Sequence, residues 1–541
     1  MPIYSSLLYN IKASVFNSCG AILAALQDQT GFIIRIMAQK SIKQKRSVYA
    51  DKISEITGWT HEEALNELRY ADSIGIKRSL YYSIKGYEWT HNDLDALAYE
   101  MQQKDTREQD SREEEINIIM DDLCCSREEA IKNLRRRIRY KLKKSIFTAN
   151  GCHRMTDDEL KEFAELRKKR LKCIDEIIRA DVLERDDPRI EELYRLALPA
   201  RQKRINEVIS FYKGDIDEQL RLQLASDMDY LNLKFGLFLK EFFLYGLETK
   251  SRSEIEAFIP NAGRRDYLRK LNSPRAFIIC RNKALSYEHL APLYKRDLVE
   301  IKGEEDLQAA VSFIGQHSDF VFKPLDKSFG RGIKRIRSEG KTDAESIAAE
   351  LIKEAPCILE ETVIADETIR SLHSASLNTI RVTTYLDDYG RVTIHLPFFK
   401  IGQGGSFVDN GGSGGIFALI DADTGVIISN GKDENNTVYE RHPDTGVTLK
   451  GFRIPEWDSL KNFAEEAARM FPEARYAGWD MALSADSGWL VVEVNCRTQF
   501  YGQQMCDEVG KKSDFEKLIN WPDLKTREDE FAEIWETIDR Y

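Results

Sequence analysis

Two acidic side chains near the C-terminal end of the sequence have the spacing of a paired carboxylate site. Residues 477–484 and 489–495 both have the composition of β-strands, and the four residues between them, ADSG, are typical of a hairpin loop. With that loop, Asp480 pairs directly with Glu493. Directly opposed side chains have Cβ atoms about 4.5–5.5 Å apart. The sequence therefore predicts two carboxylates side by side on one face of a hairpin.

Asn495 adds an amide oxygen to this pair, because it lies two residues beyond Glu493 and so on the same face of the strand. Like charges that oppose each other in a hairpin are destabilising unless something compensates them. Carboxylate and amide oxygens without Cys or His suit Mg²⁺ or Mn²⁺. Asp480, Glu493 and Asn495 are the predicted metal ligands, and a salt-bridged pair on a solvated face is the alternative.

A second stretch, FVFKPLDKSFGRGI, has features of a phosphate-binding turn. Lys323 closes a predicted strand, and a glycine-containing turn, SFGRG, follows it. Small residues let backbone amides approach phosphate oxygens, and the lysine supplies positive charge. The spacing is not that of a Walker A motif. An ordinary β-turn has a similar composition, so both interpretations stay open.

Two cations, Arg381 and Lys400, lie within long strands that are otherwise uncharged. If residues 387–390 form a four-residue loop, Arg381 pairs with Leu396, and Lys400 points to the same face as Arg381. Charges in such strands need a partner. A bound triphosphate or acyl phosphate is one candidate partner, and a buried carboxylate is the other.

Glycines bracket a further acidic and amide pair. Gly404 and Gly405 precede Asp409 and Asn410, and the run GGSGG follows them. Such a glycine density favours a loop that moves or that a ligand approaches closely.

These stretches occur in an order that resembles a known family. The series KP…SFGRGI, CILEETV, SLNTIRVTTYL, FFKIG…FVDNGGSGGI, HPDTG, GWDMAL and VVEVN is similar to the sugar-transfer-associated branch of the ATP-grasp superfamily, over roughly residues 273–510. The resemblance implies an α+β ATP-grasp fold in which two lobes hold ATP. The short strands and hairpins after residue 270 also indicate an α+β domain of mainly antiparallel strands.

The resemblance also implies roles for individual residues. Arg381 and Lys400 would neutralise the transferring phosphoryl group, and Asp480, Glu493 and Asn495 would hold Mg²⁺, with Mn²⁺ as a substitute. The residues that would bind the nucleotide are Lys283, Lys323, Ser328, Gly330, Gly332, Glu360 and Glu361, the last two at the hinge beside adenine and ribose. Arg497 departs from the usual small residue or proline. It is assigned to the catalytic set with Arg381 and Lys400, and also to the substrate, together with Asp409, Asn410 and Gly412.

The implied activity is that of an ATP-dependent carboxylate–amine ligase, which forms an amide through an acyl phosphate. A uronic-acid sugar or a peptide precursor is the expected acceptor class. A phosphotransferase on the same fold and a non-catalytic nucleotide-binding scaffold are the two alternatives. No arrangement for hydrolysis by a nucleophilic serine is present in the sequence.

The first half of the sequence has a helical pattern that includes a repeat. The segment WTHEEALNEL matches CSREEAIKNL 66 residues later, and each begins with an S/T-x-x-E capping box, Thr60 with Glu63 and Ser126 with Glu129. The sequence thus predicts an all-α N-terminal half that contains two tandem helical modules. The predicted domains are residues 1–48 (helical segment), 49–112 and 113–175 (repeats), 176–272 (helical connector), 273–515 (ATP-grasp) and 516–541 (C-terminal helix).

Composition limits the class and the partners of the protein. The 541 residues carry a net charge of −11, are 42% hydrophobic and include nine scattered cysteines, which favours a globular cytoplasmic protein and argues against nucleic-acid binding. No apolar stretch is long enough for a transmembrane span, although residues 15–26 would suit a core helix or a peripheral membrane contact. The basic run RRRIRYKLKK at 135–144 is either a solvated helix face or a site for an anionic acceptor.

Overall fold

A computed structural model of the chain describes residues 48–325, 332–338 and 341–520. Three sets of predictions lie outside the described residues: those for residues 1–47, for Ser328 and Gly330, and for the stretch after residue 520. The chain divides into two compact units, Met1–Ala98 and Tyr99–Tyr541. Among the described residues, none of the helices combines the length and the apolar character that a membrane crossing requires.

The part of the chain before residue 257 is helical, as the sequence predicts. Its helices are α1 (His61–Ser73), α2 (Arg78–Ser83), α3 (His91–Leu123), α4 (Arg127–Arg139), α5 (Lys144–Ala149), α6 (Asp157–Arg179), α7 (Pro188–Arg195), α8 (Pro199–Lys213), α9 (Glu218–Phe235), α10 (Leu239–Leu244) and α11 (Arg252–Glu256). The two predicted capping boxes are present at the starts of α1 and α4, where Thr60 and Ser126 each accept the N3 amide.

Helix positions recur along this part of the chain. The starts of α1, α2 and α3 at residues 61, 78 and 91 are followed 66 residues later by those of α4, α5 and α6 at 127, 144 and 157. The predicted pair of tandem modules stays a prediction, and this agreement favours it.

A third stretch of backbone follows the same local path. Helices α10 and α11 begin at residues 239 and 252, 95 residues after α5 and α6. The left-handed residues Lys141 and Gly151 (φ 51° and 63°) correspond to Gly236 and Gly246 (φ 74° and 61°). The backbone thus has the same turns at equivalent positions in the segments that contain α5 and α10.

The rest of the chain alternates helices and strands. Its helices are α12 (Arg264–Leu271), α13 (Pro274–Arg281), α14 (Lys283–Tyr294), α15 (Leu307–Gln316), α16 (Lys341–Ile352), α17 (Glu367–Arg370), α18 (Trp457–Met470), α19 (Tyr501–Asp507) and α20 (Lys512–Leu518). Its strands are β1 (Leu298–Ile301), β2 (Asp319–Pro324), β3 (Lys334–Arg337), β4 (Cys357–Glu361), β5 (Thr379–Leu386), β6 (Val392–Ile401), β7 (Ile416–Leu419), β8 (Gly431–Lys432), β9 (Val438–Tyr439), β10 (Tyr476–Ser484) and β11 (Gly488–Asn495).

These strands form two antiparallel sheets. The smaller sheet has the order β1-β4-β2-β3, and the larger has the order β11-β10-β5-β6-β7-β8-β9. This is the α+β architecture of antiparallel strands and hairpins that the sequence predicts.

Helices close one face of the smaller sheet, which leaves its other face for polar side chains. Helices α15 and α16 cover the smaller sheet through Phe313 and Ala348, which pack on Phe320, Phe322 and Leu359. Lys323 and Glu360 alternate with these apolar residues and therefore lie on the opposite face. In the larger sheet, Phe398, Phe417 and Leu419 join the core of the helical region.

Candidate active site

The carboxylate of Asp480 is the centre of a buried charge cluster on the larger sheet. Strand β10 lies between β5 and β11, so Asp480 has Arg381 as its partner on one side and Glu493 on the other. The predicted pairing of Asp480 with Glu493 is confirmed. The predicted four-residue loop is wrong, because Ser484 pairs with Gly488 and leaves three residues in the turn. A bulge between Asp480 and Met481 compensates for the shorter turn.

Two cations share the Asp480 carboxylate. The Nε–H of Arg381 donates to Asp480 Oδ1 at 2.6 Å, and an Nη2–H donates to Oδ2 at 3.0 Å. The Lys400 ammonium donates to Oδ2 at 3.2 Å. Burial by itself raises the pKa of Asp480, but the two cations outweigh it and hold the pKa at about 2. Asp480 is therefore buried and negatively charged at all physiological pH values.

The strand register that brings the two cations together differs from the predicted one. Arg381 pairs with Phe398 and not with Leu396, because the β5–β6 loop has five residues and a bulge interrupts the ladder between Arg381 and Thr383. Leu396 lies in this irregular stretch with a φ of 45°. Arg381 and Lys400 nevertheless share one face, as predicted, and the buried carboxylate that the sequence left open as their partner is Asp480.

Lys400 has a second set of partners in the glycine-rich loop. Its ammonium lies 3.4 Å from Asp409 Oδ1 and donates to Asn410 Oδ1 at 3.0 Å. The second Asp409 oxygen accepts the backbone N–H of Thr379 at 2.9 Å. Burial raises the pKa of Asp409 more than Lys400 lowers it. Two residues that the resemblance assigns to the substrate, Asp409 and Asn410, thus hold Lys400 in place.

The start of the glycine-rich loop is tied to the segment His442–Gly446. His442 Nε2 lies 2.8 Å from the carbonyl oxygen of Gly402, and Asp444 accepts the N–H of Gly404 at 2.7 Å. On the other side, Gly402 donates its N–H to Asn378 Oδ1 at 3.1 Å. The HPDTG stretch of the family resemblance therefore has a local structural role, which is to fix one end of the loop that carries Asp409 and Asn410.

Glu493 and Asn495 complete the predicted donor set at the rim of the cluster. Glu493 is exposed and Asn495 half-buried, whereas Asp480 is only 4% exposed. Burial lowers the pKa of Arg381 and Lys400, but nearby acids, Glu493 among them, raise it overall. Two carboxylates and one amide on adjacent strands, without sulfur or imidazole, are donors of the kind that magnesium prefers. These residues fit the predicted metal by their chemistry.

A second buried cluster lies on the smaller sheet, with Glu360 at its centre. Lys323 on β2 and Arg296, just before β1, both form ion pairs with the Glu360 carboxylate, and the Nε–H of Arg296 donates to it at 2.8 Å. Although burial opposes the effect, the two cations lower the pKa of Glu360. Two cations against one carboxylate leave an excess of positive charge in this cluster.

Arg296 also joins the two sheets. An Nη1–H of Arg296 donates to the carbonyl oxygen of Val491 at 2.5 Å, and an Nη2–H donates to that of Val492 at 3.4 Å. Both carbonyls belong to β11, directly before Glu493. Sequence reasoning missed Arg296, since it lies in a charged stretch, YKRD, that offers no pattern to distinguish it from surface arginines.

Two small residues make room for the Asp480 cluster and were also missed. A Cβ on Gly478 would lie 2.3 Å from Thr498 Oγ1 and 3.2 Å from Cδ of Arg381, so only glycine fits there. The Thr498 hydroxyl in turn accepts from Arg381 Nη1 at 3.3 Å. The glycine of GWDMAL and the threonine after Arg497 could have been singled out from the resemblance.

The structure also describes five other predicted residues, Lys283, Gly332, Glu361, Gly412 and Arg497. Glu361 lies on the face of β4 opposite Glu360, beside His317 and Asp297, and so is not brought together with Lys323. Lys283 is the first residue of α14. The guanidinium of Arg497 stacks on the ring of Phe277 at 3.8 Å.

Burial, followed by neighbouring arginines, lowers the pKa of Arg497 to about 10. Gly412 is exposed at the tip of the glycine-rich loop. Gly332 has a φ of 77° at the far end of the predicted phosphate turn, a conformation that favours glycine.

Similarity to solved structures is limited in extent. The chain matches the ATP-grasp ligase PsnB, in a structure with minimal precursor, Mg and ADP, at 18% identity and a TM-score of 0.29, covering 46% of this chain and 61% of that one. It matches the N5-carboxyaminoimidazole ribonucleotide synthetase from Thermotoga maritima at 15% identity, 47% and 55% coverage and a TM-score of 0.28. It matches the L-amino acid ligase from Bacillus licheniformis at 15% identity, 44% and 45% coverage and a TM-score of 0.27.

The chain thus spans about three fifths of the length of PsnB. No curated protein matches the sequence. The match that decides the family is to the family model described as sugar-transfer associated ATP-grasp, which covers residues 262–518, close to the limits of the resemblance in the sequence. These residues contain both sheets and both charge clusters, and they are a sugar-transfer associated ATP-grasp domain.

Proposed function

We propose that the protein is an ATP-dependent carboxylate–amine ligase that forms an amide bond through an acyl-phosphate intermediate. The proposal follows from the family of residues 262–518 and from one observation on the two clusters. The Glu360 cluster has one more cation than carboxylate, whereas Arg381 and Lys400 face three carboxylates, those of Asp480, Asp409 and Glu493. A positive site beside a negative one suits a nucleotide phosphate chain that carries a divalent cation.

In this proposal the two clusters act on different parts of the reaction. Lys323 and Arg296 bind phosphate oxygens of ATP, with Glu360 holding both side chains in position before the nucleotide arrives. Arg381 and Lys400 face the γ-phosphoryl group as it transfers. Phosphoryl transfer needs mainly positioning and neutralisation of charge, which such side chains provide.

The bonds change in two steps. The substrate carboxylate attacks the γ-phosphorus, the bond from that phosphorus to the β–γ bridging oxygen breaks, and ADP leaves. The amine then attacks the acyl carbon, loses a proton and displaces inorganic phosphate, which leaves the amide. Asp480, Glu493 and Asn495 would hold Mg²⁺, or Mn²⁺ in its place, and the ion would supply positive charge against the phosphates.

The acceptor is proposed to be a uronic-acid sugar or a peptide precursor. The basic run at 135–144 would hold the anionic part of this acceptor, although not with all of its cations. Arg136 and Arg139 pair with Asp157 at 2.8 Å and 3.1 Å, so these two cations already have a protein partner. Arg135 is exposed on the same helix and is the cation of this run that we assign to an acceptor.

The experiment is a release assay on the full chain with ATP and Mg²⁺, across pairs of amino acids with uronic acids or peptides. A ligase releases ADP and inorganic phosphate only when both substrates are present, and hydroxylamine converts its acyl phosphate to a hydroxamate. A stable phosphorylated product without an amine would replace the ligase with the phosphotransferase. Unaltered cellular function of Asp480→Ala and Glu493→Ala would favour the non-catalytic scaffold, with Lys353→Ala, an exposed lysine paired with Glu350, as the matched control.

A further inference from the structure

Three potential metal ligands converge on the helix-covered side of the smaller sheet. They are Asp297, which precedes β1, His317, which directly follows α15, and Glu361, which ends β4. One ligand atom from each lies within 4.8 Å of the other two, and this is the one such group of three or more His, Cys, Asp or Glu side chains in the described part of the chain. None of the three belongs to the buried clusters of the candidate active site.

The contacts within this group have the spacing of a small metal site. His317 Nε2 lies 3.1 Å from Asp297 Oδ2. Ligand atoms of a tetrahedral zinc site, at about 2.0–2.2 Å from the ion, lie roughly 3.3 Å apart. One imidazole and two carboxylates are a donor set that zinc accepts, and a water molecule completes four-coordination in sites with three protein ligands.

Hydrogen bonds and a ring contact hold the three ligands in place, and one side of the group stays open for an ion to enter. The backbone N–H of Asp297 donates to Glu361 Oε2 at 3.0 Å, and the N–H of Glu361 donates to the carbonyl oxygen of Asp297 at 2.9 Å. The ring of Phe313 lies 4.6 Å from that of His317, which restricts the imidazole. The His317 side chain is 15% exposed and the Asp297 side chain 69% exposed, so solvent reaches the group from one side.

We propose that Asp297, His317 and Glu361 bind a zinc ion that is separate from the nucleotide site. The ion joins three segments that are distant in sequence, since it ties the end of α15 to the two neighbouring strands β1 and β4. It sits on the opposite face of β4 from Glu360. The bound ion therefore steadies the strand that presents Glu360 to Lys323 and Arg296, without contact to either cation.

The test is zinc binding by the full chain, without nucleotide, in competition with a chromophoric chelator. We expect the wild-type protein to hold zinc at least 10-fold more tightly than His317→Gln or Glu361→Gln, and to gain thermal stability from zinc that both variants lack. His61→Gln is the matched control, because His61 lies 2.7 Å from Asp51 in a solvent-exposed pair outside any such group of three among the described residues. Its affinity for zinc should equal that of the wild type.

Cobalt provides a direct signature, since a four-coordinate Co²⁺ site with imidazole and carboxylate ligands absorbs visible light more strongly than the aqueous ion. The cobalt band should survive Glu493→Gln and disappear in His317→Gln. Equal zinc affinity, within twofold, in the wild type and in both ligand variants would overturn the proposal and leave His317 and Asp297 as an ion pair. Because the two ligand variants alter different segments, a folding defect in one leaves the other as the test.

Discussion

The two sheets of the ATP-grasp domain each bury a carboxylate between an arginine and a lysine, yet they differ in the charge that remains. On the smaller sheet, Glu360 is the carboxylate that Arg296 and Lys323 share. On the larger sheet, Lys400 contacts Asp409 as well as Asp480, and Glu493 adds a third acid. The smaller sheet is thus left with an excess of positive charge, which suits an anion. The larger sheet is left with an excess of negative charge, which suits a cation. A buried ion pair is not in itself a stabilising device, so this difference favours a role in binding.

The largest difference between the clusters should appear when the central carboxylate is neutralised. Glu360→Gln leaves Arg296 and Lys323, which are both largely buried, without their shared carboxylate. Removing one partner of a buried pair typically costs about 3–5 kcal/mol of stability. Asp480→Asn should cost less, because Lys400 keeps Asp409. Urea unfolding of both variants measures the two free energies, and an equal or larger loss in Asp480→Asn would contradict the comparison.

Replacing the lysine of each cluster should separate nucleotide binding from turnover. Lys323→Met removes a cation that we assign to ATP phosphates, and hydrogen bonds to charged groups contribute about 1.5–3 kcal/mol. The Kd for ATP, measured by calorimetry, should therefore rise roughly 10- to 150-fold. Lys400→Met should lower the rate of ADP release and leave the Kd for ATP within a few-fold of the wild-type value. The reverse pattern would exchange the two assignments.

The sequence could predict the larger sheet better than the smaller one, because paired residues of the larger sheet lie close together along the chain. Asp480 and Glu493 lie in one hairpin, so counting residues across a short turn places them together even though the turn is one residue shorter and a bulge restores the pairing. Arg381 required a second hairpin, and there the count missed both the five-residue loop and the bulge. Leu396 and Pro397 lie in the irregular stretch between the paired residues His395 and Phe398, so the proline was a signal that the count did not use.

The contacts of the smaller sheet come from separated segments, and no pattern in the sequence records them. Arg296 and Glu360 are 64 residues apart, and the guanidinium also reaches β11. Glu361 illustrates the same limit in a single strand. Adjacent residues of a strand point to opposite faces, so at most one of Glu360 and Glu361 could face Lys323, and only the core pattern of Leu359 and Phe320 decides which.

Acid titration of the unfolding free energy tests the lowered pKa of Asp480 on the larger sheet. The pKa of Asp480 is held at about 2, below the 3.8 of an ordinary aspartate, so the stabilisation it provides is complete above pH 3.8 and is lost as the pH falls toward 2. The wild type should lose about 1 kcal/mol through this residue between pH 5 and pH 3. Asp480→Asn lacks this contribution, so the difference in unfolding free energy between the two proteins should narrow by that amount. A constant difference over this range would show that Asp480 has an ordinary pKa.

The smallest expected effect concerns the glycine-rich loop that carries Asp409 and Asn410 on the larger sheet. Asp444 accepts the Gly404 N–H at 2.7 Å and lies 3.7 Å from His373 Nε2, so Asp444→Ala removes one support of the loop without touching Lys400. A single hydrogen bond contributes about 0.5–1.5 kcal/mol. Since Asp409 and Asn410 in this loop hold Lys400, we expect ADP release to slow by roughly 2- to 12-fold at that energy, while the Kd for ATP, set on the smaller sheet, stays unchanged. Asp444→Asn keeps an oxygen acceptor for Gly404 and should recover most of the rate. If Asp444→Ala weakened ATP binding as much as it slowed turnover, the loop would serve both sheets, and the separation of an anion site from a cation site would fail.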